Sequence, residues 1–156
     1  MLIEPRTDQN FCDYNGDIAV THKIIQPEGW AAAKGYANGV LSSNGLLSIG
    51  GQIGWNANKV FESHDFIGQM EQALRNIVAI VEAAGGTRTD ITRLTWFVLD
   101  KQEYLARQRE VGEAYRKILG RHFPAMSMLV VSGLIEDEAL LEIEASAVLT
   151  GESPHV

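Results

Sequence analysis

The sequence predicts an α+β fold in which two helices pack on the same face of one mixed β-sheet. Two segments, 65–84 and 100–120, carry apolar residues three and four positions apart, as amphipathic helices do. A third segment, 139–149, alternates apolar and polar residues, which is typical of a half-buried strand. Groups of strand-like segments flank both helical segments, an order expected of a two-layer α+β domain.

The first strands lie in the N-terminal half of the chain. Residues 22–25 and 34–42 are each expected to form a short strand, and Pro27, Glu28 and Gly29 mark the bend between them. The turn-forming sequence 43–45, Ser-Asn-Gly, leads into a further strand over 46–53 and therefore predicts a hairpin.

The clearest helix spans residues 65–84, and Gly85 is placed to end it. Its apolar stripe consists of Phe66, Met70, Leu74, Ile77, Val78 and Val81. A strand rich in β-branched and aromatic residues follows over 91–99. Asp100 then provides an N-cap, with Glu103 three residues later, and predicts a second helix that continues to Gly120.

Two further strands, over 124–131 and 139–149, complete the sheet. The last strand places Glu142 and Glu144 on the side opposite its apolar residues, so the carboxylates are expected on the face that the helices leave open. The alternative is an ordinary amphipathic sheet whose carboxylates are solvated.

An apolar set on the same open face predicts oligomerisation. Met126, Met128 and Val130 share one side of their strand, and we place them on the open face. Apolar side chains there would be in contact with water in a monomer. We therefore expect a homo-oligomer, with any site formed by Glu142 or Glu144 near a subunit boundary.

Length and composition predict one folded domain. The chain has 156 residues, 46% hydrophobic and 21% charged, close to globular averages. We assign residues 22–150 to the domain, residues 1–21 to an N-terminal extension without sustained periodicity, and residues 151–156 to a C-terminal tail.

Charge and residue usage argue against several classes of partner. The net charge of -7 repels phosphate backbones and no basic patch compensates, so we predict no nucleic-acid partner. No signal-like start is present, and the longest strongly apolar run, 77–81, is too short to span a bilayer. The single cysteine, Cys12, excludes an intramolecular disulfide. The expected location is cytoplasmic, without a membrane partner.

The sequence also lacks common catalytic signatures. Its four histidines are scattered without the spacing of metal ligands, so we predict no metal site. Neither the phosphate-binding pattern GxxxxGK[ST] nor the serine-hydrolase pattern Gly-x-Ser-x-Gly is present.

Six segments of the sequence together form a recognisable pattern: GYANGV (35–40), SIGGQIGW (48–55), QALRNIVAIVEAAGG (72–86), ITRLTWFVLD (91–100), HFPAMS (122–127) and LLEIEASAVL (140–149). In this order and at these separations, they resemble the Rid family, the reactive intermediate deaminases, also called YjgF-like proteins. The resemblance covers roughly residues 22–149.

The resemblance implies both a fold and a reaction. It implies a chorismate-mutase-like α+β protomer that forms a homotrimer, with three sheets around a central β-barrel and small-molecule clefts between the subunits. It also implies hydrolysis of enamines and imines to a keto compound and ammonia, without a cofactor or a metal.

Two positions carry the chemistry in the deaminating members of the family. An arginine after a Pro-Ala pair binds the substrate carboxylate through two charge-assisted hydrogen bonds, and a glutamate in the last strand positions water. The glutamate matches Glu142, the predicted catalytic residue, whereas the arginine position is occupied by Met126. Because a thioether has no donor and no charge, 2-aminoacrylate is predicted to be a poor substrate.

Other positions of the family pocket are kept. Tyr36 matches a pocket tyrosine, Gly51 keeps a backbone N–H that can face a ligand, and Met128 supplies a backbone carbonyl at the water-holding position. With Met126, these are the predicted substrate-binding residues. The alternative for Tyr36 is a strand aromatic that packs at an interface.

Two more positions depart from the family. A serine before the Gly-Gln pair is Gly50 here, and an asparagine of the second helix is Gly112. Arg121 and His122 lie just before the altered strand and are candidates for a replacement cation, but favourable charge at a helix C-terminus is the preferred explanation for both.

Two tryptophans are candidates for an enlarged apolar cleft that would suit an aromatic or ring-cleavage product. They are Trp55 and Trp96. Trp96 is better explained as a core residue, because it shares one strand face with Leu94 and Val98.

Two functions remain open. The first is a Rid-like hydrolase of an enamine, imine or related metabolite with a less polar pocket. The second is a trimeric small-molecule binding or regulatory protein that keeps the fold without catalysis, which the three lost polar positions favour. A ribonuclease or translation-inhibitor function, a label that some family members carry, is disfavoured by the acidic charge.

Overall fold

A computed structural model describes residues 22–150 and contains one six-stranded sheet. The strands are β1 (Lys23–Ile25), β2 (Gly39–Leu41), β3 (Leu46–Gln52), β4 (Ile91–Val98), β5 (Ala125–Val130) and β6 (Leu141–Val148). The helices are α1 (Phe66–Ala83), α2 (Lys101–Ala106) and α3 (Gln108–Leu119), with one 3-10 turn at Arg88–Asp90. The predicted extension and tail, 1–21 and 151–156, lie outside the described residues.

The strand order is β1-β2-β3-β6-β4-β5. β4 and β5 are parallel and all other neighbours are antiparallel, so the predicted mixed sheet and α+β class are confirmed. Leu141, Ile143, Ala145 and Ala147 of β6 are buried in a core with α1 and α3. Both long helices therefore cover the same sheet face.

The ends of α1 follow the sequence signals. Asp65 Oδ2 accepts hydrogen bonds from the N–H groups of Ile67 and Gly68 at 3.0 and 3.3 Å, and thereby caps the helix. Gly85, at φ 93°, follows the last turn in the left-handed region. No helix of residues 22–150 is long and apolar enough to cross a membrane.

The second predicted helix is interrupted, which corrects the expectation of one helix over 100–120. Asp100 caps α2 as expected, through bonds from Gln102 and Glu103 N–H. Arg107, at φ -116° and ψ 21°, leaves the helical region and separates α2 from α3. Its guanidinium binds Asp65 at the start of α1 and Glu110, so ion pairs stabilise the break.

The strand expected over 34–42 is also much shorter than predicted. Only residues 39–41 form β2, and residues 31–38 form a loop that contains Gly35 at φ 81°. Tyr36 therefore lies in a loop and not in a strand.

The three residues that we placed on the open face lie on the other side of the sheet. Parallel pairing sets them opposite buried residues of β4: Met126 with Leu94, Met128 with Trp96 and Val130 with Val98. Directly paired residues point to the same face. The three side chains therefore face the helix layer, and the edge position of β5 leaves Met126 44% and Val130 55% exposed.

The open face carries Glu142, Glu144 and a different apolar set. Its exposed apolar side chains come from the two edge strands, β1 and β5, and from the two central strands, β3 and β6; they are Ile24, Leu129, Leu46 and Val148. Residues 22–150 thus leave one face of the sheet uncovered, and its exposed apolar side chains are these four and not the predicted Met126, Met128 and Val130.

Candidate functional site

A cleft of about 340 Å³ lies where β3 ends and β6 begins. The loop 36–38, the stretch 50–53, Trp55, the loop residues 135–136 and Glu142 line it. This volume falls in the roughly 300–1,000 Å³ range of small-molecule sites.

Glu142 enters the cleft from the open face of β6 and is half-buried. Burial raises the pKa of its carboxyl, and the negative charge of Glu144 raises it further. A carboxyl with a raised pKa exchanges protons closer to neutral pH than an ordinary glutamate and is suited to general acid–base work.

A β-bulge makes room for this carboxylate. Ile49 pairs with Ala145 and Gln52 with Ile143, so β3 contains one residue more than β6 over this stretch. A Cβ atom at Gly51 would overlap the carboxylate of Glu142. Only glycine therefore lets the Glu142 side chain take this position.

Two aromatic side chains, Tyr36 and Trp55, form what we call the aromatic wall of the cleft. Tyr36 is 48% exposed, and Trp55 packs against Phe61 with ring centroids 6.2 Å apart. Lys59 Nζ lies 5.5 Å from the ring centroid of Tyr36 and 5.7 Å from that of Trp55. Both distances are within the range of cation–π attraction.

Four buried amide side chains hold the segments that line the cleft, and we call them the amide scaffold: Asn38, Gln52, Gln69 and Asn76. Asn38 donates to Gln26 Oε1 at 2.8 Å, and Gln52 donates to the carbonyl of Gly50 at 3.1 Å. These bonds fix the loop before β2 and the bulge of β3.

The other two members of the scaffold come from α1. Asn76 donates to the carbonyls of Ile53 and Trp55 at 3.3 and 2.9 Å. Gln69 donates to the carbonyl of Glu138 at 2.9 Å and accepts from the N–H of Leu140 at 2.8 Å. The helix thereby positions the aromatic wall and the chain segment that enters β6.

Sequence reasoning missed this scaffold. The available signal was the occurrence of polar amides, Gln69 and Asn76, beside the apolar stripe of α1, where an unpaired amide would be costly.

The structure brings together three of the five predicted site residues. Tyr36, Gly51 and Glu142 line one cleft. Met126 and Met128 lie on the edge strand β5, which β4 separates from β6, and neither lines this cleft.

The positions that depart from the family pattern, and the candidates for a replacement cation or an apolar cleft, are spread over the fold. Gly50 lines the cleft, whereas Gly112 lies within α3. The ring of His122 forms a hydrogen bond of 2.7 Å with the carbonyl of Ile91, and neither it nor Arg121 lines the cleft. Trp96 is a buried core residue, as expected.

A second groove, of about 450 Å³, lies between α1 and α3. It contains none of the predicted site residues, and two of its cations, Arg75 and Lys117, are paired with Glu71. Within residues 22–150, no three His, Cys, Asp or Glu side chains group as metal ligands would. The cleft around Glu142 is therefore the stronger candidate site.

Known proteins resemble the chain over most of its length. The family model described as Endoribonuclease L-PSP matches residues 27–149. A RutC family protein of Haemophilus influenzae is 35% identical over 126 residues, 81% of this chain and 96% of the relative. The 2-iminobutanoate/2-iminopropanoate deaminase of Escherichia coli is 37% identical over 130 residues, 81% and 97% of the two chains.

Solved structures agree with this assignment. Escherichia coli TdcF with bound serine is 31% identical, with a TM-score of 0.69 over 82% of this chain and 99% of that chain. The Rid family protein YyfA of Yersinia pestis is 30% identical, with a TM-score of 0.71 over 83% and 100%. These matches confirm the resemblance noted in the sequence, and the chain belongs to the Endoribonuclease L-PSP family, the YjgF/Rid family.

Proposed function

We propose that the protein is a hydrolytic deaminase of enamines or imines, with Glu142 as its catalytic residue. The observation that carries the proposal is the half-buried Glu142 carboxyl, whose pKa is raised, in a cleft of small-molecule size. The bulge at Gly51 supports it, because a side chain there would exclude Glu142 from its position.

The proposed reaction adds water across the C=N bond. The reacting species is the protonated imine, and an enamine substrate reaches it by gaining a proton on carbon. The Glu142 carboxylate accepts a proton from water as the water oxygen bonds to the C=N carbon, giving a neutral tetrahedral carbinolamine. Glu142 then returns that proton to the nitrogen. The C–N bond breaks, the hydroxyl gives up its proton, and the products are a keto compound and ammonium.

We further propose that the working unit is a homotrimer with a central β-barrel, with the ligand bound at the subunit interface. The exposed apolar residues of the open face support an assembly. Met126 and Met128 lie on an edge strand, from which they would complete the cleft of a neighbouring subunit.

The proposed substrate does not depend on an α-carboxylate for binding. The Escherichia coli relative is named for 2-imino acids, and the TdcF structure contains bound serine; both kinds of molecule carry an α-carboxylate. Met126 offers such a group neither charge nor a hydrogen bond. We therefore expect weak binding of 2-imino acids here.

The test measures how far the protein accelerates ammonia release, above the uncatalysed hydrolysis, from two imines made in situ by oxidases, one from an α-amino acid and one from the matching primary amine. The wild type should act on the imine made from the primary amine, which lacks the α-carboxylate. Glu142→Ala should lower that rate by about 100-fold or more, because the proton acceptor is lost. Met126→Arg should raise the rate of ammonia release from the 2-imino acid, because the guanidinium can bind its carboxylate. Glu113→Ala, an exposed carboxylate of α3, serves as the matched control.

Full activity in Glu142→Ala would exclude the catalytic role. If neither the wild type nor Met126→Arg accelerates ammonia release from either imine above the uncatalysed rate, the non-catalytic binding protein is favoured, for which Met126 and Gly50 are the supporting observations. That function predicts ligands that raise the melting temperature without product formation.

A further inference from the structure

Lys59 is a feature of the cleft border that the proposed reaction does not use. Among residues 22–150 it is the one non-glycine residue with positive φ, at 61°. The left-handed region costs a residue with a side chain about 1–2 kcal/mol, which glycine would avoid. Backbone strain of this kind clusters at functional sites, so the side chain of Lys59 calls for an explanation.

The ammonium group of Lys59 stands against the aromatic wall. It lies within 6 Å of the ring centroids of both Tyr36 and Trp55. It donates one hydrogen bond, 3.0 Å long, to the carbonyl of Ala32. A lysine ammonium has three N–H donors, so two remain for a ligand.

The charges around the cleft make this cation unusual. The cleft lining contains Glu136 and Glu142 and no lysine or arginine. In the part of the chain that the structure describes, no carboxylate oxygen lies within 4.0 Å of Lys59 Nζ. Lys59 therefore brings an unneutralised positive charge to the border of a negatively charged cleft.

We propose that Lys59 binds an anionic group of the ligand, a carboxylate, at the aromatic wall. This inference rests on the proposed function only in taking the reacting group of the ligand to be an imine or enamine. Lys59 approaches from the aromatic wall, whereas Glu142 projects from the sheet, so one ligand reaches both only if its two ends are separated. The substrate class is then an imine or enamine whose carboxylate is several bonds from the C=N carbon, with a flat or apolar portion against Tyr36 and Trp55.

The test compares benzoate and benzamide, two stable flat probes that differ in charge, by isothermal titration calorimetry at low salt. The wild type should bind benzoate about fivefold more tightly than benzamide. Lys59→Met, which keeps the length of the side chain and the backbone strain, should abolish this preference. Lys59→Arg should retain it, and so should the control Lys101→Met, which removes an exposed lysine of α2.

Equal affinity of the wild type for the two probes, or an unchanged preference in Lys59→Met, overturns the proposal. Thermal unfolding of each variant reports whether it is folded, and Lys59→Gly, which relieves the strain at φ 61°, provides a second charge-free variant that should match Lys59→Met.

Because the measurement needs no turnover, it separates the two proposals. A protein that prefers benzoate through Lys59 but does not accelerate ammonia release refutes the deaminase function alone. Accelerated ammonia release without a Lys59-dependent preference refutes the anion site alone.

Discussion

Glu142 illustrates how much of a site depends on single residues. A carboxylate on a sheet face is usually well hydrated, but the bulge at Gly51 lets Glu142 lie half-buried beside the backbone of β3. Burial is the larger cause of its raised pKa, and the like charge of Glu144 is the second. Because Glu144 is one of the two causes, replacing it should lower the pKa of Glu142 and shift the pH dependence of activity.

Glu144→Gln should shift the acid limb of the pH–rate profile to lower pH. Glu142 must be ionised to accept a proton, so activity is lost as the pH falls through its pKa, which lies above the ordinary value of 4.5. Removal of the Glu144 charge lowers that pKa and extends activity towards acid. The measurement is kcat/KM against pH for both proteins, with Ser146→Ala as the control on the same strand face. An unshifted or raised limb in Glu144→Gln would contradict this account.

Some site residues can be predicted from the sequence and others cannot. Glu142 is identifiable because strand alternation places it opposite the apolar side of β6 and the family resemblance assigns it a role. The contact between Gly51 and Glu142 joins two strands, and the contacts of Lys59 with Tyr36 and Ala32 span more than 20 positions. No local pattern records such contacts.

At the scale of the elements, the sequence patterns located the six strands and α1 but merged α2 and α3 into one helix, and they failed where distant contacts decide the local structure. Residues 31–38 are held as a loop, in part through the bond from Lys59 to Ala32. The break at Arg107 is stabilised by Asp65, 42 positions away. A pattern confined to one segment contains neither partner.

The amide scaffold gives α1 a role beyond packing, which Asn76→Ala tests. This change leaves the carbonyls of Ile53 and Trp55 without their amide donor. Unfolding in urea should show a loss of stability of about 1–3 kcal/mol. The higher helix propensity of alanine offsets part of that cost, by about 0.5 kcal/mol.

The same variant should bind benzoate more weakly than the wild type does, because the aromatic wall loses its support. Arg75→Ala, an exposed position on the same helix, is the control and should leave both quantities almost unchanged. A stability equal to that of the wild type in Asn76→Ala would show that the two bonds do not hold the wall.

At the scale of the whole molecule, residues 22–150 cover one face of the sheet and leave the other open. The sequence predicts an open face with apolar residues, but the residues predicted for it are wrong, because the parallel register of β5 on β4 is not encoded in the alternation of β5 itself. The actual set extends from one edge strand to the other and includes Leu46 opposite Val148 on the two central strands. A lysine introduced at this pair reports on assembly without adding charge at Glu142.

Val148→Lys should therefore dissociate the proposed trimer. Light scattering coupled to size-exclusion chromatography should give the wild type three times the mass of one chain, and the variant a smaller mass, because a buried unpaired ammonium is costly. Leu105→Lys is the matched control: Leu105 is 44% exposed against 39% for Val148, but it lies on α2, in the helix layer. A wild type with the mass of one chain excludes the trimer, and an intact trimer in Val148→Lys excludes the open face as its interface. If the clefts lie between subunits, dissociation also removes the edge strand that carries Met126, so the variant should lose catalysis although its own Glu142 is unchanged.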